Sequence, residues 1–142
     1  MTELHALRHR LENPFHRGLL RRTYDSIRNR LATDGYFPES LTGVYAGMFP
    51  RTTGALARLL MEVGEWDAAE SAIHYCIQAM LDNGMERIAH VIGPRKANGQ
   101  IPVLDGDDEV DGQAHVLLAW AMLARARGRC TYEDLSYSTV AS

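Results

Sequence analysis

The sequence predicts an all-α fold of antiparallel helical hairpins, and three observations carry that prediction. Apolar residues recur every three or four positions through several separate stretches, the spacing that gathers them on one face of a helix. Two of these stretches are joined only by Gly64 and Glu65, a connection short enough to force an antiparallel pair. A third, Val116 to Ala124, is apolar on every side, as expected of a helix enclosed by others. At 142 residues the chain fits one domain, residues 1–142, with four or five helices and two long loops, 36–51 and 84–111.

Taken in order, Leu4, Leu7 and Leu11 predict a first helix at 3–12. Asn13-Pro14 breaks it, and Pro14 suits an early position in the next helix, where its missing N–H costs nothing. That helix, 15–33, carries Phe15, Leu19, Leu20, Tyr24, Ile27 and Leu31 on one face, and Asp34-Gly35 closes it. Residues 36–50 contain two prolines and two glycines and so form a loop, yet the aromatics Tyr36, Phe37, Tyr45 and Phe49 predict that the loop is packed. Helix 52–63 is amphipathic through Leu56, Leu59, Leu60 and Val63. Helix 66–83 turns Ala69, Ala72, Ile73, Cys76, Ile77 and Met80 inward, with Glu70, His74, Gln78 and Asp82 facing water. In the second long loop Asn98-Gly99, between Lys96 and Ile101, has the chemistry of a short β-hairpin turn. Helix 112–127 follows, and beyond Gly128 the residues Tyr132, Leu135 and Tyr137 begin one more helix.

Composition narrows the function classes. Hydrophobic residues make up 46% of the chain and charged residues 23%, ordinary for a globular protein. A net charge of -3 gives no basis for binding nucleic acid or an anionic membrane. Arg8, Arg10, Arg17, Arg21, Arg22, Arg28 and Arg30 alternate with apolar residues at helical spacing, which makes them the solvated side of amphipathic helices. Cys76 and Cys130 sit in no metal or redox spacing, and Cys76 falls on a core face. His5 and His9, like Glu86 and His90, lie four apart without a third ligand and are expected on helix surfaces. No Gly-rich phosphate loop, nucleophile elbow or other cofactor motif is present. Nothing near the N-terminus resembles a signal peptide and no apolar run is long enough to span a membrane, so a reducing cytoplasm is the expected setting.

The stretch Asp105 to His115 holds the most concentrated chemistry. Five of its first seven residues are acidic and it enters the most apolar helix, where carboxylates favour the helix N-terminus. From Asp107 the oxygens of Asp107, Glu109 and Asp111, with Gly112 sixth, resemble half a calcium loop, but the twelfth residue is Leu118 rather than Glu, so no metal site is expected. If successive helices run antiparallel, both long loops fall on one face. That face gathers Tyr45, Arg51, Lys96, Asp105, Asp107, Asp108, Glu109, Asp111, Gln113 and His115. Carboxylates and guanidinium groups bond sugar hydroxyls in pairs and aromatic rings pack on sugar C–H faces, so the set suits a polyhydroxylated ligand. Paired carboxylates can also carry out glycoside hydrolysis.

Three segments resemble the early part of a six-hairpin glycosidase, the (α/α)6 toroid of glucoamylase-like and rhamnosidase-like enzymes. They are Tyr45-Ala-Gly-Met-Phe-Pro-Arg51, Gly64-Glu-Trp-Asp-Ala-Ala-Glu, and Gly99-Gln-Ile-Pro followed by Val110-Asp111-Gly-Gln113. The resemblance covers roughly residues 36–128. It implies a carbohydrate-active, glycoside-hydrolase-like protein in which Tyr45, Arg51, Asp111 and Gln113 bind the saccharide. Where the family has an Asp after that Arg, this chain has Thr52. Twelve helices need on the order of 350 residues, so these 142 residues alone are expected to be inactive and to complete themselves by self-association or within a longer chain. The catalytic acid of the family has no match here. A second resemblance uses the same Gly64-Glu65-Trp66-Asp67 turn: a tetratricopeptide-like hairpin, which would make the protein an interaction module without catalysis. No second copy at that repeat's period is found.

Overall fold

The computed structural model describes residues 12–40, 42–107 and 109–128. Most of the expected helix 3–12, with His5 and His9, lies outside the described residues. So do Asp108, Cys130 and the expected element with Tyr132, Leu135 and Tyr137. The described chain is mostly helical, with one small sheet. Its elements are α1 (Pro14–Arg28), a 3-10 turn (Gly43–Tyr45), α2 (Pro50–Glu62), α3 (Trp66–Asp82), β1 (Val91–Ile92), β2 (Val103–Asp105) and α4 (Val110–Ala126). By compactness the chain divides into two units, residues 1–31 and 32–142.

In the first unit, the Asn13 side chain accepts a hydrogen bond from the Phe15 N–H at 2.9 Å, and Pro14 opens α1. The helix stops at Arg28 rather than 33. Arg30 and Leu31 bond to carbonyls only three residues back, which tightens the last turn and ends the α-helical ladder. Contrary to expectation, the apolar face through Phe15, Leu19 and Leu20 is not a core face: α1 buries none of its residues.

In the second unit, α2 and α3 form the expected hairpin. Gly64 takes φ +85°, a left-handed conformation that glycine adopts without strain, and the Glu65 N–H bonds back to the Leu60 carbonyl at 2.8 Å. All six residues expected on the core face of α3 are buried, joined by Tyr75 and Ala79. On α2 the expectation holds for Leu56 and Leu60, whereas Leu59 and Val63 are exposed. The reason is a small-residue contact. A Cβ on Gly54 would stand 2.5 Å from the His115 carbonyl, so α2 and α4 meet backbone to backbone there. The buried side of α2 is centred on Gly54 and Ala57, which turns Leu59 and Val63 outward.

Helix α4 departs furthest from expectation. It is not enclosed: Leu117 and Leu118 are 46% and 48% exposed, while the opposite side, through Val116, Ala119, Trp120 and Leu123, is buried. Its principal neighbours are α2 and α3. Two helices cover one side of a third, so an all-round apolar sequence leaves the other side bare.

The two long loops are ordered by main-chain bonds. Val91–Ile92 and Val103–Asp105 pair antiparallel around a tip in which the Lys96 N–H bonds to the Gln100 carbonyl and Gly99 takes φ +89°. The base of this hairpin is fixed to the end of α3, where the Asp82 carboxylate accepts from the Ile101 N–H at 2.8 Å and Asn83 donates to the Ile101 carbonyl. Met48 and Ile92 then exchange reciprocal hydrogen bonds of 2.8 and 2.9 Å, joining loop 36–51 to the hairpin. Phe37, Met48 and Phe49 are buried, as the aromatic content of that loop predicts.

Candidate functional site

The Met48–Ile92 bridge brings the entries of α2 and α4 side by side. Pro50 starts α2, and one residue on, Arg51 leaves the first turn pointing across the gap between the helices. On α4 the second residue is Asp111. Gly112 is buried where α4 meets the start of α2, and a Cβ there would make ordinary contact with the Arg51 amide and the Pro50 ring at 3.6 Å. The Arg51 Nη1 donates to Asp111 Oδ2 at 3.1 Å, with both side chains about half exposed (55% and 49%). Two residues sixty positions apart, named from sequence for the same role, are therefore hydrogen-bonded to one another.

The pair tunes both partners. Arg51 holds its proton more firmly than a free guanidinium, through the Asp111 hydrogen bond first, then the charges of Asp111, Glu109 and Glu39. For Asp111, partial desolvation works to raise the carboxyl. The Arg51 hydrogen bond and charge, the Gly112 N–H and the charge of His115 outweigh it, so the carboxyl lies below its usual range.

Beside the pair stands a second linked group. His90 Nδ1 lies 3.0 Å from Asp105 Oδ2, and its Nε2 lies 3.5 Å from Glu109 Oε2. The imidazole edge meets the Phe49 ring at a centroid distance of 5.5 Å. Phe49 in turn packs on the ring of Tyr45 at 5.9 Å. Asp105 accepts from the Asp107 N–H and then from His90, and these bonds hold its carboxyl below the usual range. The expectation of a helix surface for Glu86 and His90 is thus overturned. Residues 86–90 are not helical, because Gly84 ends the turn after α3 and the chain runs straight into the hairpin.

Tyr45 ends the 3-10 turn and leaves its ring 60% exposed at the edge of this constellation. Gln113 sits in the first turn of α4, half-buried, its N–H directed to the Glu109 carbonyl. Thr52 Oγ1 donates to Glu39 Oε2 at 3.2 Å, so the hydroxyl holds a carboxylate from the preceding loop. His115 faces α2, its Nδ1 lying 3.1 Å from Arg58 Nη2. Lys96 belongs to the hairpin tip and has no described contact with the Arg51 group.

His90 and Glu39 are the members that sequence reasoning missed. Neither has a partner at a spacing of a helix or a motif: His90 reaches Asp105 only because the hairpin folds back fifteen residues, and Glu39 reaches Thr52 across thirteen. Among the described residues, no group of three or more His, Cys, Asp or Glu is arranged to hold a metal ion. No helix of the described residues is long and apolar enough to cross a membrane.

The arrangement offers a shallow rim of hydrogen-bonding groups with an exposed ring at one side. Guanidinium donors, carboxylate acceptors and an aromatic face are the three elements that recognise vicinal hydroxyls. Comparison with protein-family models, curated proteins and solved structures finds no match for this chain.

Proposed function

We propose that the face built by loops 36–51 and 84–111 binds a saccharide, and that the chain is a carbohydrate-active, glycoside-hydrolase-like segment related to the (α/α)6 toroid. The observation that carries this reading is the Arg51–Asp111 hydrogen bond, formed at the entries of two neighbouring helices, with the Tyr45 and Phe49 rings stacked toward His90. A planar guanidinium held by one carboxylate keeps further N–H donors free for ligand hydroxyls, and the second oxygen of Asp111 accepts from the same sugar. Tyr45 supplies the stacking surface and Gln113 a neutral amide one turn into α4. Glu39, held by Thr52, supplies a carboxylate next to Arg51.

Hydrolysis requires a carboxylic acid and a second carboxylate at a set separation. Asp111, engaged by Arg51, is a binding group in this reading rather than the acid. These 142 residues therefore bind without turning over by themselves. The setting we propose is cytoplasmic, consistent with the buried Cys76, whose thiol burial pushes up to about 12 and thereby keeps unreactive. The partners are a saccharide and further helices of the same kind, with no cofactor, nucleic acid or membrane.

The test is a glycan-array screen followed by titration calorimetry on Arg51→Ala and Asp111→Ala. Both variants should keep the helical circular dichroism and unfolding midpoint of the parent while weakening saccharide binding at least tenfold. A loss of fold stability without any ligand effect would assign the pair a structural role.

A second reading has one observation in its favour. Leu117, Leu118 and Met122 on α4, with Leu59 and Val63 on α2, are exposed apolar side chains on two neighbouring helices. An interaction module without catalysis would use such side chains to bind another helix, and a peptide array separates it from the saccharide reading.

A further inference from the structure

A cleft of about 440 Å³ runs along α3 and shares no lining residue with the Arg51 constellation. That volume lies within the roughly 300–1,000 Å³ of small-ligand sites. Helix α3 supplies most of the lining, and Asp34, Arg95 from the hairpin and Trp120 from α4 complete it. These parts are fixed in place. Gly35 packs so closely on α3 that a Cβ there would stand 2.1 Å from the Ser71 carbonyl. Asp34 Oδ2 accepts from Arg95 Nε at 3.3 Å, and the guanidinium lies 5.4 Å from the centre of the Tyr75 ring. The Tyr75 hydroxyl donates to the Gly93 carbonyl at 3.0 Å. His74 and Trp120 meet edge to face, with ring centroids 6.2 Å apart.

We infer that this cleft is a second ligand site, and that its ligand is a neutral sugar. The inference rests on the cleft alone and goes beyond the reading of the Arg51 face. Charge narrows the ligand first. The ionisable lining residues are Asp34, Glu70, His74, Tyr75 and Arg95. Asp34 is paired with Arg95, and Glu70 with Arg127, which also holds Asp67 at 2.8 Å. His74 stands 4.0 Å from Glu70. An anionic ligand therefore meets Asp34 and Glu70, a cationic one meets Arg95, and neither finds an unpaired counter-charge.

A flat aromatic ligand fares no better. Tyr75 and Trp120 are only 1% and 8% exposed, so neither offers a broad ring face for stacking. What the cleft does offer is hydrogen bonding of both kinds. Among the described residues, the Trp120 indole N–H and the Ser71 hydroxyl have no hydrogen-bond partner. The Gln78 amide N–H goes to Asp82 at 2.7 Å, which leaves its carbonyl oxygen as an acceptor. A sugar hydroxyl donates and accepts alike, and the C–H groups of its ring pack on Ile77 and Leu81.

Trp120 reports on the cleft directly. With the other tryptophan replaced, Trp66→Phe, its emission is followed as cellotetraose, maltotetraose, the N-acetylglucosamine tetramer or a galacturonate tetramer is added to the full chain. At least one of the three neutral tetramers should give a saturable change with a Kd below about 1 mM, and the galacturonate should bind more weakly. Gln78→Phe, which fills the cleft from an exposed position, should raise that Kd roughly tenfold. His74→Ala should raise it severalfold, and is the second variant should Gln78→Phe lower the helicity. Arg51→Ala should leave it unchanged. A Kd indifferent to both cleft variants, tighter binding of the galacturonate, or no saturable response to any neutral tetramer overturns the cleft site. Saccharide binding that is lost in Arg51→Ala and kept in Gln78→Phe also overturns it, and leaves the reading of the Arg51 face standing.

Discussion

Helices α3 and α4 are both seventeen residues long and their fates are opposite. The more apolar of the two, α4, leaves Leu117, Leu118 and Met122 in solvent. The more mixed, α3, buries eight residues and keeps His74 and Gln78 outward. The difference lies in their neighbours rather than their composition. Helix α3 is covered by α2, by the 32–37 segment and by the hairpin fixed to Asp82 and Asn83. Helix α4 packs chiefly on α2 and α3, and Leu117, Leu118 and Met122 on its other side stay exposed. Apolar content states how much surface a helix has to bury; the number of elements around it states how much is buried.

The contrast can be broken or sharpened experimentally. The largest effect belongs to the core of α3. Ile73→Ala should cost about 2–5 kcal/mol, because the site is fully enclosed and cannot collapse, whereas Leu118→Ala should change stability by less than about 0.5 kcal/mol. Urea unfolding of the two variants measures both, and similar losses would mean that the outer side of α4 is covered. Next comes the contact between α2 and α4. Gly54→Ala forces a methyl group against the His115 backbone and should cost about 1–3 kcal/mol, read as a lower thermal midpoint.

Smaller again is an effect on association. We expect the chain to self-associate through the bare side of α4, and Leu118→Lys with Met122→Lys to yield monomer in sedimentation velocity without loss of helicity. An unchanged sedimentation profile would move the self-contact elsewhere. The smallest effect is electrostatic. The Asp105 and Asp111 carboxyls lie below their usual range in the folded chain, so each adds stability above its unfolded pKa of about 3.9, lost as pH falls through the lower folded value. Asp105→Asn should flatten the acid limb of the stability profile below about pH 4 by removing a small part of the neutral-pH stability, the two proteins converging in acid. An acid limb identical to that of the parent would show that the carboxylate titrates normally.

Much of the fold is legible in the sequence where one residue reports on its own helix. Ala69, Ala72, Ile73, Cys76, Ile77 and Met80 follow the 3.6-residue period and are all buried, and Gly64-Glu65 and Asn98-Gly99 turn the chain where their backbone chemistry directs. What escapes is set between elements. Leu59 and Val63 fit the helical period as well as Leu56 and Leu60 do, and only the contact at Gly54 decides which pair faces inward. At the candidate site, Arg51 and Asp111 are legible because each opens a helix next to a proline or an acidic run. His90 is not: its partners are reached through a hairpin whose register includes a bulge between Val91 and Ile92, and no local spacing foretells that.

Gly54 also works as a spacer gauge. It lies one turn beyond Arg51 on α2, as His115 lies one turn beyond Asp111 on α4, so the residue without a side chain sets how far apart the Arg51 and Asp111 side chains begin. Any larger residue there acts as a wedge with the Arg51–Asp111 hydrogen bond at its open end. The reach of that pair is therefore governed from a position that contributes no side chain to it.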